Sequence, residues 1–337
     1  MVGFVVRRLL WTIVILFAIA TITFTLQRVV PADPAAFLAG QNATAETVQR
    51  IRAQYGLDQP IPAQYLTYMT GLIQGDLGIS IRTRRPVTED LAQFLPATLE
   101  LLLVSFAVYI TLSLLLGILA AQLRGRRADG GIRVLTMVGT GIPVFWLGLT
   151  LQLVFFYYLR WLPIGGRYPV REELPDPITG FLLVDSILRL DPTALRNSIV
   201  HLILPATAIV LSLIAVGVRL TRGAFLEQSN RLYVRTLRGK GLSPSRILGR
   251  HVLRNALNPI ITVTGIQFGY MISWVVLVEV IFNWPGIGLY AFKSFEVFDY
   301  APVIALTLVA TITFAIVNLV SDLLYPIVDP RIQRATS

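Results

Sequence analysis

The chain has 337 residues, of which 55% are hydrophobic and only 14% charged, and its mean hydropathy is +0.68. A soluble domain carries about 25% charged residues, so composition excludes that class and points to a polytopic membrane protein. The net charge of +10 sits in loops between apolar runs, which fits membrane orientation better than nucleic-acid binding, and a chain with no cysteine and only His201 and His251 excludes disulfides, thiolate chemistry and a histidine-built metal site.

Arg7 and Arg8 precede a first apolar run, Leu9 to about Val30, long enough to cross a bilayer. A signal peptide is the competing reading, but its apolar region is normally shorter and the PADPA that follows is a poor cleavage site. Residues 31–96 are polar and proline-punctuated. Arg50, Arg52, Arg82, Arg84 and Arg85 nearly balance Asp33, Glu46, Asp58, Asp76, Glu89 and Asp90, which suits an extracytoplasmic segment. Span two is expected from about Ala97 to Leu123. The loop after it holds Arg124, Arg126, Arg127 and Arg133 against Asp129 and reads as cytoplasmic. Span three, about Val134 to Leu159, contains Pro143, which predicts a kink, and ends in Tyr157, Tyr158 and Trp161 as an interfacial belt.

Residues 160–198 are again charge-balanced and extracytoplasmic. Span four covers about Ile199 to Leu220, span five about Ile260 to Phe282 and span six about Pro302 to Tyr325. The basic loops therefore select an all-α protein with six transmembrane helices and both termini in the cytoplasm. By domain, residues 1–30 form the first span with its leading segment and 31–96 the extracytoplasmic segment. Residues 97–326 form the transmembrane domain, with a cytoplasmic region at 221–258, and 327–337 a cytoplasmic tail.

The most informative stretch is Leu226 to Pro259. It carries Arg231, Arg235, Arg238, Lys240, Arg246, Arg250 and Arg254 against one acid, Glu227. Ser229 or Asn230 is placed to cap a first short helix, which Gly241 ends. Ser243 and Pro244 are placed to open a second. Arg246, Arg250 and Arg254 then share one helical face, and Leu248, Val252, Leu253, Ala256 and Leu257 another. Two readings stand: a basic loop lying on the membrane surface, or a docking element for a cytosolic partner.

No phosphate-binding loop is present, since Gly239-Lys240 is followed by Gly241 and lacks the earlier glycine. No zinc-peptidase helix, nucleophile elbow or paired-carboxylate signature appears either, so the chain is not expected to be an enzyme. The spans are nearly free of ionisable groups, which argues against an ion-coupled carrier acting alone. Gln152, Gln267 and Asn318 are the polar candidates for a translocation path, and Glu279 is a candidate for an outer gate; helix packing and a solvated interfacial acid are the competing readings.

At Tyr233-Val-Arg-Thr-Leu-Arg-Gly-Lys-Gly241 the sequence resembles the cytoplasmic loop motif of binding-protein-dependent ABC importer permeases. In the peptide/nickel branch this motif runs like YVRTARAKG and is followed by a segment like RHALRNALLP, here Arg250-His-Val-Leu-Arg-Asn-Ala-Leu-Asn-Pro259. Leu237 and Gly239 stand where that branch usually has alanine. Pro31-Ala-Asp-Pro34, Gly75-Asp-Leu-Gly78, Leu162-Pro-Ile-Gly-Gly166, Trp284-Pro-Gly-Ile-Gly288 and Asp329-Pro-Arg331 extend the resemblance along the chain, in the manner of a "B"-type subunit of dipeptide and oligopeptide importers. The resemblance implies a type I importer permease fold in a prokaryotic cell membrane, a second homologous permease, two cytosolic ATPase subunits holding ATP and Mg, and an extracytoplasmic solute-binding protein. No cofactor or metal is implied for this chain itself. The ATPases are expected to dock around Tyr233, Arg235, Thr236, Leu237, Lys240, Gly241, Leu242, Ser243 and Arg246. Peptides are the implied cargo; nickel complexes, opines and oligosaccharides travel through relatives with the same scaffold.

Overall fold

The computed structural model describes residues 2–29, 43–54, 56–297 and 299–328. The Pro31-Ala-Asp-Pro34 motif, the rest of residues 31–42 and the tail from Asp329 lie outside the described residues. The described chain is helical: α1 (Val2–Val29), α2 (Ala45–Gln54), α3 (Ile61–Ile73), α4 (Val87–Gln122), α5 (Arg127–Thr140), α6 (Val144–Tyr158), α7 (Leu182–Leu188), α8 (Pro192–Ser229), α9 (Leu232–Gly239), α10 (Pro244–Ile281), α11 (Ile287–Phe295) and α12 (Tyr300–Val328). Its β-type pairing among the described residues is one isolated bridge, Ile79 with Pro86. Helices are what an apolar solvent demands, since every backbone N–H and C=O must find its partner within the segment.

Four helices, α4, α8, α10 and α12, are long and apolar enough to cross a membrane. The α5–α6 pair makes a fifth crossing if counted as one broken span. In α1 the described apolar stretch is Leu10–Thr25.

Three expectations need correcting. The segment around Pro143 is not a kinked helix: α5 stops at Thr140, α6 begins at Val144, and the two meet at 101°. Gly141 and Pro143 explain the break, because proline denies the helix an N–H and biases the residue before it away from helical backbone. Span two starts already at Val87, because Glu89 and Asp90 favour the positive N-terminal end of a helix and Pro96 is accommodated inside it. The second short cytoplasmic helix and span five are one element: α10 runs unbroken from Pro244 through a π-helical turn at Ile247–Val252 and past Pro259 to Ile281.

The chain divides into two compact units, residues 1–98 with 285–313 and residues 99–284 with 314–337. In the first, Val87, Leu91, Ile287 and Ala305 form a buried cluster. Beside it lies a buried polar network. Asp90 accepts hydrogen bonds from the Thr83 hydroxyl (2.5 Å) and the Tyr290 hydroxyl (2.6 Å), and Asp299 accepts from the Ser80 hydroxyl (2.6 Å) and the Arg82 N–H (3.1 Å). The Arg82 guanidinium sits 5.1 Å over the Tyr290 ring. Burial, and then the bond to Asp90, push the Tyr290 hydroxyl above the usual phenol range.

In the second unit α8 is central. It packs against α5, α6, α7 and α10, and 67% of its most apolar window is buried. Asp191 caps it, accepting from the N–H groups of Thr193 and Ala194, with Pro192 at the first helical position. Its buried face is rich in small residues, including Ala194, Ser198, Ala206, Ala208, Ala215 and Gly217. Small residues let helix backbones approach closely, which is how helices associate where lipid removes the hydrophobic drive. Gly139 of α5 is an example of backbone meeting backbone: a β-carbon there would stand 2.6 Å from the Leu211 carbonyl oxygen of α8.

Gly139→Val is therefore expected to force α5 off α8 and to cost about 1–3 kcal/mol, the usual range for overpacking. Thermal unfolding of the detergent-purified variant should show a lowered midpoint; an unchanged midpoint would mean the contact is dispensable.

Candidate docking site

The basic stretch folds as a helix, a glycine turn and a second helix. The helix α9 does not use a side-chain cap: Ser229 and Asn230 end α8, the Ser229 hydroxyl bonding the Phe225 carbonyl, and Arg231 stands at the N-cap with no capping bond. The other end follows the local rule. Gly241 adopts φ +77°, its N–H bonds the Arg238 carbonyl (2.9 Å), and the Leu242 N–H bonds the Leu237 carbonyl (3.2 Å). That pair of bonds is the Schellman closure of a helix C-terminus. Ser243 stands at the N-cap of α10 with extended backbone and Pro244 follows at the first position, but its hydroxyl lies near Ser245 instead of capping.

The element is seated on apolar side chains. Val234, Ile247 and Val252 are buried with Ala121 of α4 and Phe225 of α8, and Tyr233, Leu237, Leu242, Leu248 and Leu253 pack around them. Leu237 and Leu242, the two side chains of the Schellman closure, thus share one cluster and hold the turn closed. The polar face points away: Arg235, Thr236, Arg238, Lys240, Gly241, Ser243, Arg246, Arg250 and Arg254 are all exposed. Glu227, the single acid, pairs with Arg231 across one turn of chain. An exposed row of cations on a rigid apolar base is built to meet an anionic or hydrogen-bonding surface.

Beneath this element, Arg222 of α8 makes a bidentate pair with Asp129 in the first turn of α5, at 2.9 and 2.7 Å. Asp129, expected in a loop, stands instead on α5. Removing either partner leaves the other charge without its counter-ion. A second pair, also not anticipated, lies elsewhere in the unit: Arg167 donates twice to Glu100 Oε2 (2.9 and 2.6 Å) and once to the Gly180 carbonyl (2.7 Å), while Glu100 Oε1 accepts from the Leu183 N–H (2.7 Å). It fastens the 160–191 segment to α4.

The four polar path candidates have different surroundings. The Gln152 amide donates to the Ile164 and Ile281 carbonyls, 2.8 and 3.1 Å away. Gln267 is buried beside the Tyr109 hydroxyl, Glu279 is wholly buried, and Asn318 is half-buried on α12. Among the described residues no group of three His, Cys, Asp or Glu is placed to hold a metal ion.

The described chain is thus a helical membrane protein with an exposed basic face seated on an apolar cluster. Comparison with known proteins gives its class. The model of the "Binding-protein-dependent transport system inner membrane component" matches residues 113–334, and its N-terminal companion matches residues 1–102. The chain belongs to this family of transport-system permeases. It is 40% identical to the "Probable D,D-dipeptide transport system permease protein DdpB" of Escherichia coli K12, over 98% of this chain and 97% of that one. It is also 40% identical to the "Di/tripeptide transport system permease protein DppB" of Pseudomonas aeruginosa, over 99% of each. Among solved structures, a chain of the MetNI methionine ABC transporter in an inward-facing conformation shares the fold, with TM-score 0.50 and 12% identity over 69% of this chain and 93% of that one.

Within the 160–191 segment one carboxylate gives a pH test. Burial opposes charge on Asp185, but hydrogen bonds from the Thr179 hydroxyl and from the N–H groups of Thr179, Ile178 and Gly180 outweigh it and hold the carboxyl below its ordinary range. A depressed folded-state pKa stabilises above the unfolded value, about 3.9, and the gain is lost as pH falls through the folded value. Asp185→Asn should speed amide exchange at residues 178–180 about tenfold near neutral pH, the equivalent of about 1.4 kcal/mol. The gap from wild type should close on acidification below about pH 4. A gap independent of pH would assign the effect to shape instead of charge.

Proposed function

We propose that this chain is one of the two permease subunits of an ATP-driven, binding-protein-dependent importer of di- and oligopeptides in a prokaryotic cell membrane. In this reading it crosses the membrane six times, with α1 and the α5–α6 pair as crossings and both termini cytoplasmic. The single observation that carries the peptide assignment is the 40% identity, over nearly the whole chain, to two permeases whose names specify di- or tripeptides.

Each part of the molecule then has a task. A second permease completes the passage. Two cytosolic ATPase subunits, which hold ATP and Mg, seat on Tyr233, Arg235, Thr236, Leu237, Lys240, Gly241, Leu242, Ser243 and Arg246. Support for this seat is its exposed cationic face on a closed apolar base. A solute-binding protein delivers cargo at the opposite side. ATP drives transport only by binding one conformation more tightly than the other. A displacement of α9 by the ATPase reaches the spans through α10 and through the apolar cluster under α8. Asn318 is the preferred path-facing side chain of the four candidates, because it is half-buried whereas the Gln152 amide is engaged and Gln267 and Glu279 are sequestered.

Purification from the native membrane tests the class: a second permease and ATPase subunits should co-purify. Recovery of the chain alone, still transporting in liposomes, would overturn the reading. Gly241→Val tests the seat. The left-handed conformation costs a branched residue about 1–2 kcal/mol, so the turn should open. ATPase recovery and substrate-stimulated hydrolysis should then fall about tenfold, the equivalent of 1.4 kcal/mol. Wild-type coupling in this variant would remove the turn from the docking surface.

A further inference from the structure

Helix α3 (Ile61–Ile73, IPAQYLTYMTGLI) has no role in the reading above. It lies in a segment expected to be polar, yet contains no charged side chain; the nearest acids, Asp58 and Asp76, stand beyond its two ends. None of its residues is buried. A water-exposed helix of this composition gains nothing from solvent.

Several of its polar side chains are bonded within the helix, just ahead of it or to α1, while Thr67 is exposed. The Gln64 amide donates to the Gln59 and Leu57 carbonyls, and the Thr70 hydroxyl bonds the Leu66 and Thr67 carbonyls. The Tyr65 hydroxyl shares a 2.7 Å hydrogen bond with Thr21 of α1. Tyr65 and Tyr68 both pack on the Phe24 ring, with centroids 5.3 and 5.4 Å apart. The opposite face presents Pro62, Leu66, Thr70 and Ile73, with Ile61 at the start.

The contact with α1 sets the depth. At about 1.5 Å per residue, Thr21 and Phe24 stand about 20 and 24 Å along α1 from Arg8, which marks one membrane boundary. The hydrocarbon core is about 30 Å thick. The contact therefore falls about 6–10 Å short of the far boundary, and interfacial helices bury their apolar face about 5–10 Å deep. The face of α1 is itself lipid-type, with Leu10, Trp11, Ile13, Val14, Ile15, Phe17 and Ile22 exposed.

We propose that α3 lies in the bilayer interface at the end of α1 remote from Arg8, with Leu66 and Ile73 against lipid acyl chains, and so fixes residues 43–86 to the membrane surface. The occupant of the apolar face is lipid because that face continues the lipid-exposed surface of α1, is free of charge and sits at interfacial depth.

The chain has no cysteine, so Leu66→Cys and Ile73→Cys each create a single labelling site on an exposed position. The variants are prepared in membrane vesicles together with their co-purifying partner subunits and labelled with a polarity-sensitive fluorophore. Ile15→Cys in α1 and Val170→Cys, which is fully exposed in the 160–191 segment, are the references. Phospholipids carrying a nitroxide near the headgroup should extinguish most of the emission at Leu66 and Ile73, as they do at Ile15, while aqueous iodide should act chiefly at Val170. Iodide quenching at Leu66 and Ile73 equal to that at Val170 would overturn the proposal. Protection from both quenchers would overturn it in favour of a protein partner. Iodide access at Ile15 would remove α1 as the depth marker and the proposal with it, while leaving the importer assignment to the co-purification experiment.

Discussion

Close backbone approach along α8 is the constraint on which the second unit depends. In lipid, apolar side chains gain nothing by meeting each other, so helices stay together through van der Waals fit and a few polar links. The small residues on α8 supply that fit. Where Gly139 meets Leu211, the backbones themselves are in contact. The docking element inherits this order, because Val234, Ile247 and Val252 are held against Phe225 near the end of the same helix. The Schellman closure at Gly241 and this cluster together fix the cationic face on its base.

Two buried carboxylates of the second unit are tied to arginines. Glu100 and Asp129 are both buried, and each meets an arginine through two hydrogen bonds. Such pairs add little net stability relative to a well-packed apolar core. What they supply is placement: the first fastens the 160–191 segment to α4, and the second locks α5 to α8 below the docking face.

What was legible in the sequence was local. The apolar runs gave the long helices, and Gly241 gave its turn, because a left-handed C′ position has a residue preference that acts within a few residues. The family was legible by motif, from Tyr233–Gly241 and the segments that follow it. Legibility failed where the deciding partner lay far along the chain. Arg167 and Glu100, Arg222 and Asp129, and Tyr290 and Asp90 are separated by 67, 93 and 200 positions, and no periodicity announces such pairs. It failed also where two local rules competed. Ser229 and Asn230 are good N-caps, but α8 continues through Ser229 and leaves Arg231 to begin α9. Pro143 marked a disturbance correctly, though one residue type cannot tell a kink from the 101° break that Gly141 helps to make.

The continuity of α10 has a mechanical consequence. Its 38 residues form a rod that begins in the docking element and ends at Ile281, about 57 Å away at helical rise. A rod converts a small tilt at one end into a large sweep at the other: 10° about the docking end displaces Ile281 by about 10 Å. Stiffness is interrupted at two marked points, the π-helical turn at Ile247–Val252 and Pro259, where the regular hydrogen-bond ladder is broken. Both lie in the first half of the rod. Flexure is thereby confined to the basic end of the helix, and the stretch from Ile260 to Ile281 carries no such interruption.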